Sequence, residues 1–533
     1  MIVSGIAGWL AFGPSITGSG QDAGKRYVEA VIGRPARVNP FFAHLDDADR
    51  DLSALIFSGL TRLGPNGEVV PDLAQSWDTS EDGKTVTFHL RPGIVWHTGS
   101  PFTSSDVVFT YSLLGDPAVQ SDPDQASLWR QVKCTNPDPL TAVCQLPAPF
   151  APFLAYTTIG ILPQQILQGV NPASLSDNPF NLNPVGTGPF RLAELDATHA
   201  ILKANTAYHL GAPKLDQIEM RFFPDAASAV NAVLAHNADG ILIDPGADPS
   251  QTEALKSADD VKAYKANRTA YTIMYLNNGA PPLNEKPVRQ AIAEAVDIDS
   301  IISDVLSSEA IPATSPILPG TWAYDPKVPL YKHSADDARH LLDQAGWKLP
   351  DNGHVRQRDK LELRLTLLTD QDPIRGAIAD RIANELSDVG FAMNVTRKDP
   401  TSLVRDSLVP HDYQSAIFGG DTGPDPDPYA AWHSSQATDN GRNIAAYKSQ
   451  EADSLMEKAR RTSDLQERQK LYYSFQKVFH DDVPSLLLYY PVQTYYVRTN
   501  IKGIELGTLF NTGSRFRNAQ DWRLETAVDI GQQ

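Results

Sequence analysis

A chain of 533 residues is long enough to bury several cores, since single domains usually run to roughly 100–200 residues. With 41% hydrophobic residues, 21% charged residues and no low-complexity run, its composition excludes disordered and fibrous classes. A formal net charge of −18 excludes a binder of phosphate backbones, which needs clustered Lys and Arg, so nucleic acid is not an expected partner.

Residues 2–12 (IVSGIAGWLAF) are apolar and run into Gly, Ser, Pro and Thr up to Gly24. That pattern fits the end of a signal or anchor helix plus a linker; a buried terminal strand is the alternative. Residues 1–26 are assigned to this remnant, although no basic segment precedes it and no lipid-accepting cysteine follows it. No later run of roughly 18 apolar residues offers a second membrane span.

At 85–90 (TVTFHL), Val86, Phe88 and Leu90 alternate with Thr85, Thr87 and His89, the period of a half-buried strand that turns His89 to solvent. Just before it, Ser80, Glu81, Asp82 and Gly83 form a tight turn, while Trp77, Phe88, Trp96 and Phe102 supply core area. Near Thr103 the pattern becomes helical, with Thr103 as N-cap, Asp106 in the first turn, and Val107, Val108, Tyr111 and Leu114 on one side. His97 has no second His, Cys or carboxylate at ligand spacing, which makes it a surface or turn residue and leaves no metal site. Cys134 and Cys144 flank the turn-forming Asn136-Pro137-Asp138-Pro139. They either bridge across a hairpin, which requires an oxidising compartment, or remain two buried thiols; spacing alone does not decide.

Asn284 is placed to cap a helix carrying Val288, Ala291, Ile292, Ala295 and Val296, and Ser334 one carrying Ala338, Leu341, Leu342 and Ala345, closed by Gly346. Leu361, Leu363, Leu365 and Leu367 then alternate with polar residues, and Ile374, Ala377, Ile378, Ile382, Leu386 and Val389 follow at helical spacing up to Gly390. Since 391–396 is again strand-like, 361–396 reads as a βαβ unit with parallel strands and a right-handed crossover. Ligands of such sheets bind outside the carboxyl ends of the strands. The strand-like stretch 413–418 feeds Gly419-Gly420-Asp421-Thr422-Gly423-Pro424-Asp425-Pro426-Asp427-Pro428-Tyr429, which is therefore the candidate ligand loop. A turn-capping role is weighed more heavily for Asp425 and Asp427 in that loop than for Asp421. No phosphate-cradling Gly loop, HExxH or G-x-S-x-G is present, so no enzyme activity and no cofactor are expected.

Five stretches occur in a recognisable order: GLTRLGPNGEVVPDLAQSWDTSEDGKTVTFHLRPGIVWHTGSPFTSSDVVFTYSLL (59–114), NPVGTGPFRL (183–192), LNEKPVRQAIAEAVDIDSII (283–302), LLDQAGW (341–347) and GPDPDPYAAWHSS (423–435). Over roughly residues 27–525 the chain resembles the peptide/nickel-type extracytoplasmic solute-binding proteins, solute-binding family 5. The resemblance implies a two-lobed α/β, periplasmic-binding-protein-like fold (type II, cluster C) with an extra subdomain on the first lobe. Residues 27–58, 183–272 and 489–533 would build the first lobe, 59–182 its subdomain, and 273–488 the second lobe.

It also implies the substrate-binding component of an ABC importer, a monomer on the outer face of the membrane or in the periplasm, handing a di- or oligopeptide to permease subunits. A nickel complex, oligosaccharide, haem or opine is the alternative within the fold, and a hydrolase the alternative of another class. Asp421, flanked by Gly420 and Thr422, matches the carboxylate that pairs with a peptide's ammonium. Tyr271, Tyr275, Asn277 and Asn278 fall at the crossing into the second lobe, Trp432 is placed to wall a side-chain pocket, and Arg375 is the nearest candidate for the ligand's carboxylate. A hinged trap whose ligand contacts are complete only when closed would do the work without any reaction.

Overall fold

The structure, a computed structural model, describes residues 24–244, 248–439 and 441–525. The apolar segment 2–12 lies outside the described residues, and none of the described helices is long and apolar enough to cross a membrane.

The strand Arg26–Ile32 has five consecutive buried residues, as expected of a strand covered on both faces. It pairs in parallel with Gln217–Phe223 on one side and Gly240–Ile243 on the other. His199–Ala204 and Phe190–Leu195 extend the sheet antiparallel. On its opposite flank runs the 14-residue strand Ser485–Arg498, which pairs with Gly240–Ile243 and Val261–Asn267 through its second half and with Ala270–Leu276 through its first. One strand thus runs through two packed bodies, and the chain crosses between them at Arg268 and Thr269, where Arg268 N–H donates to Pro491 O at 3.3 Å. Ala270–Leu276 continues into Ser415–Asp421, Arg364–Thr369 and Ala392–Arg397.

The expected βαβ unit is present. Arg364–Thr369 and Ala392–Arg397 are parallel, joined by the helix Pro373–Asp388, whose cap Asp372 accepts from Arg375 N–H and whose end is turned by Gly390 at φ +102°. Its first strand begins later than the leucine alternation suggests. Leu361–Glu362 pairs instead with Gln357–Arg358, leaving Leu361 67% exposed, and Leu363 N–H is taken by Arg356 O before the parallel pairing begins. The helix expected from Asn284 starts one residue later, as Lys286–Ala295 with Glu285 at its cap. Ser334 caps Ala335–Gln344 through its side chain, and Thr103 N–H donates to Asp106 at 2.9 Å ahead of Ser104–Leu114.

Ala74–Thr79, Thr85–Leu90, Thr141–Gln145 and Lys133–Asp138 form a separate four-stranded sheet. Phe88, Trp96 and Phe102 are buried beneath it, with Trp77 partly so. His89 is half-exposed and paired with Asp78 at 2.8 Å. His97 is a turn residue, as one of its two expectations had it, but a largely covered one: its Nε2 lies 3.0 Å from Gly188 O, Gly186 N–H donates to its Nδ1, and burial pushes its pKa down to about 4. The glycines it meets are required by close approach, since a Cβ on Gly186 would sit 1.9 Å from Ile56 O.

Cys134 and Cys144 are opposite each other in the hairpin and are bridged, with a Cα separation of 4.0 Å. Replacing both by serine reopens a loop with a sequence separation of 10, so the variant is expected to lose about 2–3 kcal/mol in urea unfolding. Equal stability of the variant and the non-reduced protein would show that the thiols are not joined.

A buried charge cluster ties the first body together. Arg515, 2% exposed, donates to Glu29 at 2.9 Å and to both oxygens of Asp51 at 2.7 and 2.5 Å, while Tyr27 and Tyr495 donate to the other Glu29 oxygen at 2.5 and 2.8 Å. These residues come from the first strand, the helix Asp47–Ile56, the long strand and the C-terminal segment.

Candidate functional site

A cleft of about 490 Å³ opens between the two bodies. Phe57, Arg62 and Tyr208 wall it from the first body, Gln125 and Tyr156 from the four-stranded subdomain, and Thr422, Gly423 and Pro424 from the second body. Its volume falls within the roughly 300–1,000 Å³ of small-molecule sites. Further contacts hold the bodies together: Ala151 N–H donates to Arg460 O at 2.7 Å, Trp322 N–H to Asn66 O at 2.9 Å, and Arg442 pairs with Asp124.

The cleft is lined by charges of both signs. Arg62 and Arg517 stand close together on it, the latter donating to the carbonyls of Gly64 at 2.9 Å, Ser514 at 3.1 Å and Thr508. Burial, with Arg62 close by, pulls the Arg517 pKa down to about 10 despite Glu68. Asp72 nearby is taken up by His209 at 2.6 Å. The Tyr156 hydroxyl, also on the cleft, is pushed up by burial and then by Asp427, Asp124 and Asp425.

The Pro-rich loop is clamped from behind by two arginines. Arg468 holds Asp425 at 2.7 and 3.1 Å, bonds Tyr472 Oη at 2.9 Å and lies over the Trp322 ring; Arg460 holds Asp427 at 2.6 Å between the rings of Phe150 and Tyr429. Asp425 and Asp427 are therefore ion-pair partners, and Asp427 also accepts from Tyr429 N–H at 3.2 Å.

Asp421 ends the strand Ser415–Asp421 instead of opening the loop; its side chain is 69% exposed and lies 3.4 Å from Arg268. It flanks the cleft wall, of which the next three residues are part. Thr422 is anchored through its N–H to Thr269 O at 2.8 Å. Gly420 faces Tyr271 in the ladder, and a Cβ there would come within 3.6 Å of that ring and 3.8 Å of the Tyr275 hydroxyl. Trp432 packs against Tyr275 and Phe479 and bonds Tyr271, so these three aromatics gather behind Gly420 as core, with Trp432 only 1% exposed. Asn277 spends its amide on the carbonyls of His411 and Tyr413 at 3.0 and 2.8 Å and its oxygen on Gly279 N–H at 3.0 Å. Asn278 likewise donates to Leu276, Ala445 and Pro484. Arg375 is bidentate to buried Asp370 at 2.9 and 2.7 Å, so its charge is already taken.

The structure thus brings Gly420, Tyr271, Tyr275 and Trp432 together and leaves Arg375 elsewhere. Arg62, Tyr156 and Arg517 were not singled out from the sequence. Arg62 sits inside a signature otherwise explained by core and turn residues, and no periodicity marks the side of a three-residue strand that faces a cleft.

A family profile described as "Bacterial extracellular solute-binding proteins, family 5 Middle" matches residues 68–442. The oligopeptide-binding protein AppA of Bacillus subtilis is 29% identical over 485 residues, covering 89% of this chain and 88% of the relative. Its structure in complex with a nonapeptide aligns at a TM-score of 0.70 and 26% identity over 94% of this chain and 99% of that one. NikZ from Campylobacter jejuni in complex with Ni(L-His) aligns at 0.71 and 28% over 93% and 99%.

Proposed function

Because the chain belongs to the family 5 bacterial extracellular solute-binding proteins, we propose that it captures a di- or oligopeptide in the interlobe cleft and delivers it to the membrane permease of an ABC importer. The observation that carries this is the cleft of about 490 Å³ lined by both bodies, in a chain whose relatives include an oligopeptide-binding protein. Capture needs closure and no bond cleavage: ligand contacts to both bodies favour the closed state by their differential affinity. The protein acts outside the cytoplasm as a monomer, with residues 1–26 as leader or tether, and the Cys134–Cys144 bridge suits that compartment.

Calorimetry with di- to hexapeptides, free or acetylated at the N-terminus, and with a nickel–histidine complex tests this. Free peptides are expected to bind, to shrink the scattering radius, and to stabilise the fold by about 2.7 kcal/mol at a hundredfold excess over Kd. Binding of the nickel complex alone would move the reading to metal chelates, and cleavage of a bound peptide seen by mass spectrometry would move it to hydrolysis.

Asp421 is the proposed ammonium partner, supported by its strand-end position beside the cleft wall. The ligand must displace Arg268 and cover an exposed carboxylate, which keeps the gain modest. Asp421→Asn is expected to weaken free peptides about tenfold, roughly 1.4 kcal/mol, and to leave acetylated ones unchanged. An equal loss for both kinds would remove Asp421 from the site.

A further inference from the structure

We propose that Arg62 receives the ligand's carboxylate, making the part of the cleft around Arg62 and Arg517 an acid-selective subsite. This rests on the peptide-capture reading and names what that cleft selects. Arg62 lines the cleft, and its Nε is buried without a hydrogen-bond partner. Such groups are uncommon because an unmet buried donor costs free energy, more when it is charged. In a chain with 64 acidic and 46 basic residues, a cleft arginine without an acid is conspicuous. Among the described residues no carboxylate stands at ion-pair distance from it, whereas Arg50 on the same cleft pairs with Asp47 and Arg517 is tied to three carbonyls. Nearby Asp72 is engaged by His209. A second polar atom on this cleft, Ser121 Oγ, is also buried and unpartnered.

The position is built to be rigid. Arg62 lies in the strand Thr61–Leu63, its backbone opposite Val70, while Thr61 is pinned by its hydroxyl to Leu154 O at 2.9 Å and Thr157 Oγ1 at 2.8 Å. Alternation along a strand puts Thr61 and Arg62 on opposite faces, and Thr61 is fully buried while Arg62 stays partly exposed at the cleft. The guanidinium fork matches a carboxylate with two parallel N–H···O bonds, and a bound anion would also relieve the repulsion between Arg62 and Arg517. The same chemistry would serve a C-terminal carboxylate or an acidic side chain.

The test is calorimetry on the full chain and on Arg62→Met and Arg62→Lys, with alanine-based di- to pentapeptides as free acids, as C-terminal amides, and as amides carrying one glutamate. The wild type is expected to prefer free acids to amides at least tenfold. Arg62→Met should bind both equally weakly, Arg62→Lys should fall between, and ligand-free Arg62→Met should melt no lower than wild type. A preference for glutamate-bearing amides that vanishes in Arg62→Met would assign the subsite to an acidic side chain. Wild-type binding with an acid-to-amide ratio unchanged in Arg62→Met, or a lower melting temperature with parallel loss of both ligand kinds, overturns the Arg62 assignment alone. Failure of the wild type to bind any peptide overturns the peptide reading and this one with it.

Discussion

Arg515→Leu is expected to destabilise the protein by about 3–5 kcal/mol at neutral pH, because it leaves Glu29 and Asp51 buried side by side without their cation. Both carboxylates are fully enclosed, and burial already pushes each of them up, opposed chiefly by Arg515. Without the arginine they rise further. A carboxylate whose folded pKa exceeds its unfolded one favours folding only when protonated, so its contribution is present at low pH and lost as pH rises through the folded value. The deficit against wild type should therefore be largest near pH 7 and shrink near about pH 5, read from urea midpoints at constant slope. The triple variant Glu29→Gln/Asp51→Asn/Arg515→Met should recover much of it, since no charge remains buried. A single variant with a deficit below about 1 kcal/mol, or one that grows on acidification, would contradict the assignment of an ionised triad.

None of that triad was visible in the sequence. Arg515 is separated from Glu29 and Asp51 by most of the chain, and nothing local distinguishes the three from surface charges until the fold brings them together. What was legible had a local cause. The strand Thr85–Leu90 follows from strict alternation, the caps Thr103 and Ser334 from hydroxyls ahead of apolar spacing, and the βαβ unit from two strand runs around a helix closed by Gly390. The leucine alternation overran its strand by three residues because a short hairpin competed for Leu361. Site residues were harder, since a cleft is a long-range object. Asp421 does stand at a strand end, but its exposure and its Arg268 partner depend on how Ala270–Leu276 crosses between bodies. Arg375 looked free only because Asp370, five residues earlier, could not be seen to fold back on it. Arg62 is the converse: an ordinary charge in sequence, left without an acid by its surroundings.

Arg468→Met is expected to cost about 3–5 kcal/mol and also to weaken ligand binding, roughly tenfold, although Arg468 does not line the cleft. Its guanidinium and the Asp425 carboxylate are both almost fully buried, and the pair joins the Pro-rich loop to the helix Leu465–Asp482. Two residues before Asp425, the same loop supplies Gly423 to the cleft wall. A wall segment held by one buried ion pair is preorganised; released, it must be ordered again each time ligand binds. Stability and binding can be separated by the double variant Arg468→Met/Asp425→Leu, which buries no unpaired charge. It should regain most of the lost stability in urea unfolding while its peptide affinity stays low. Full recovery of both would mean that the pair serves the fold alone, and low stability in the double variant would mean that packing around Trp322 and Tyr472, not the charge, is what Arg468 supplies.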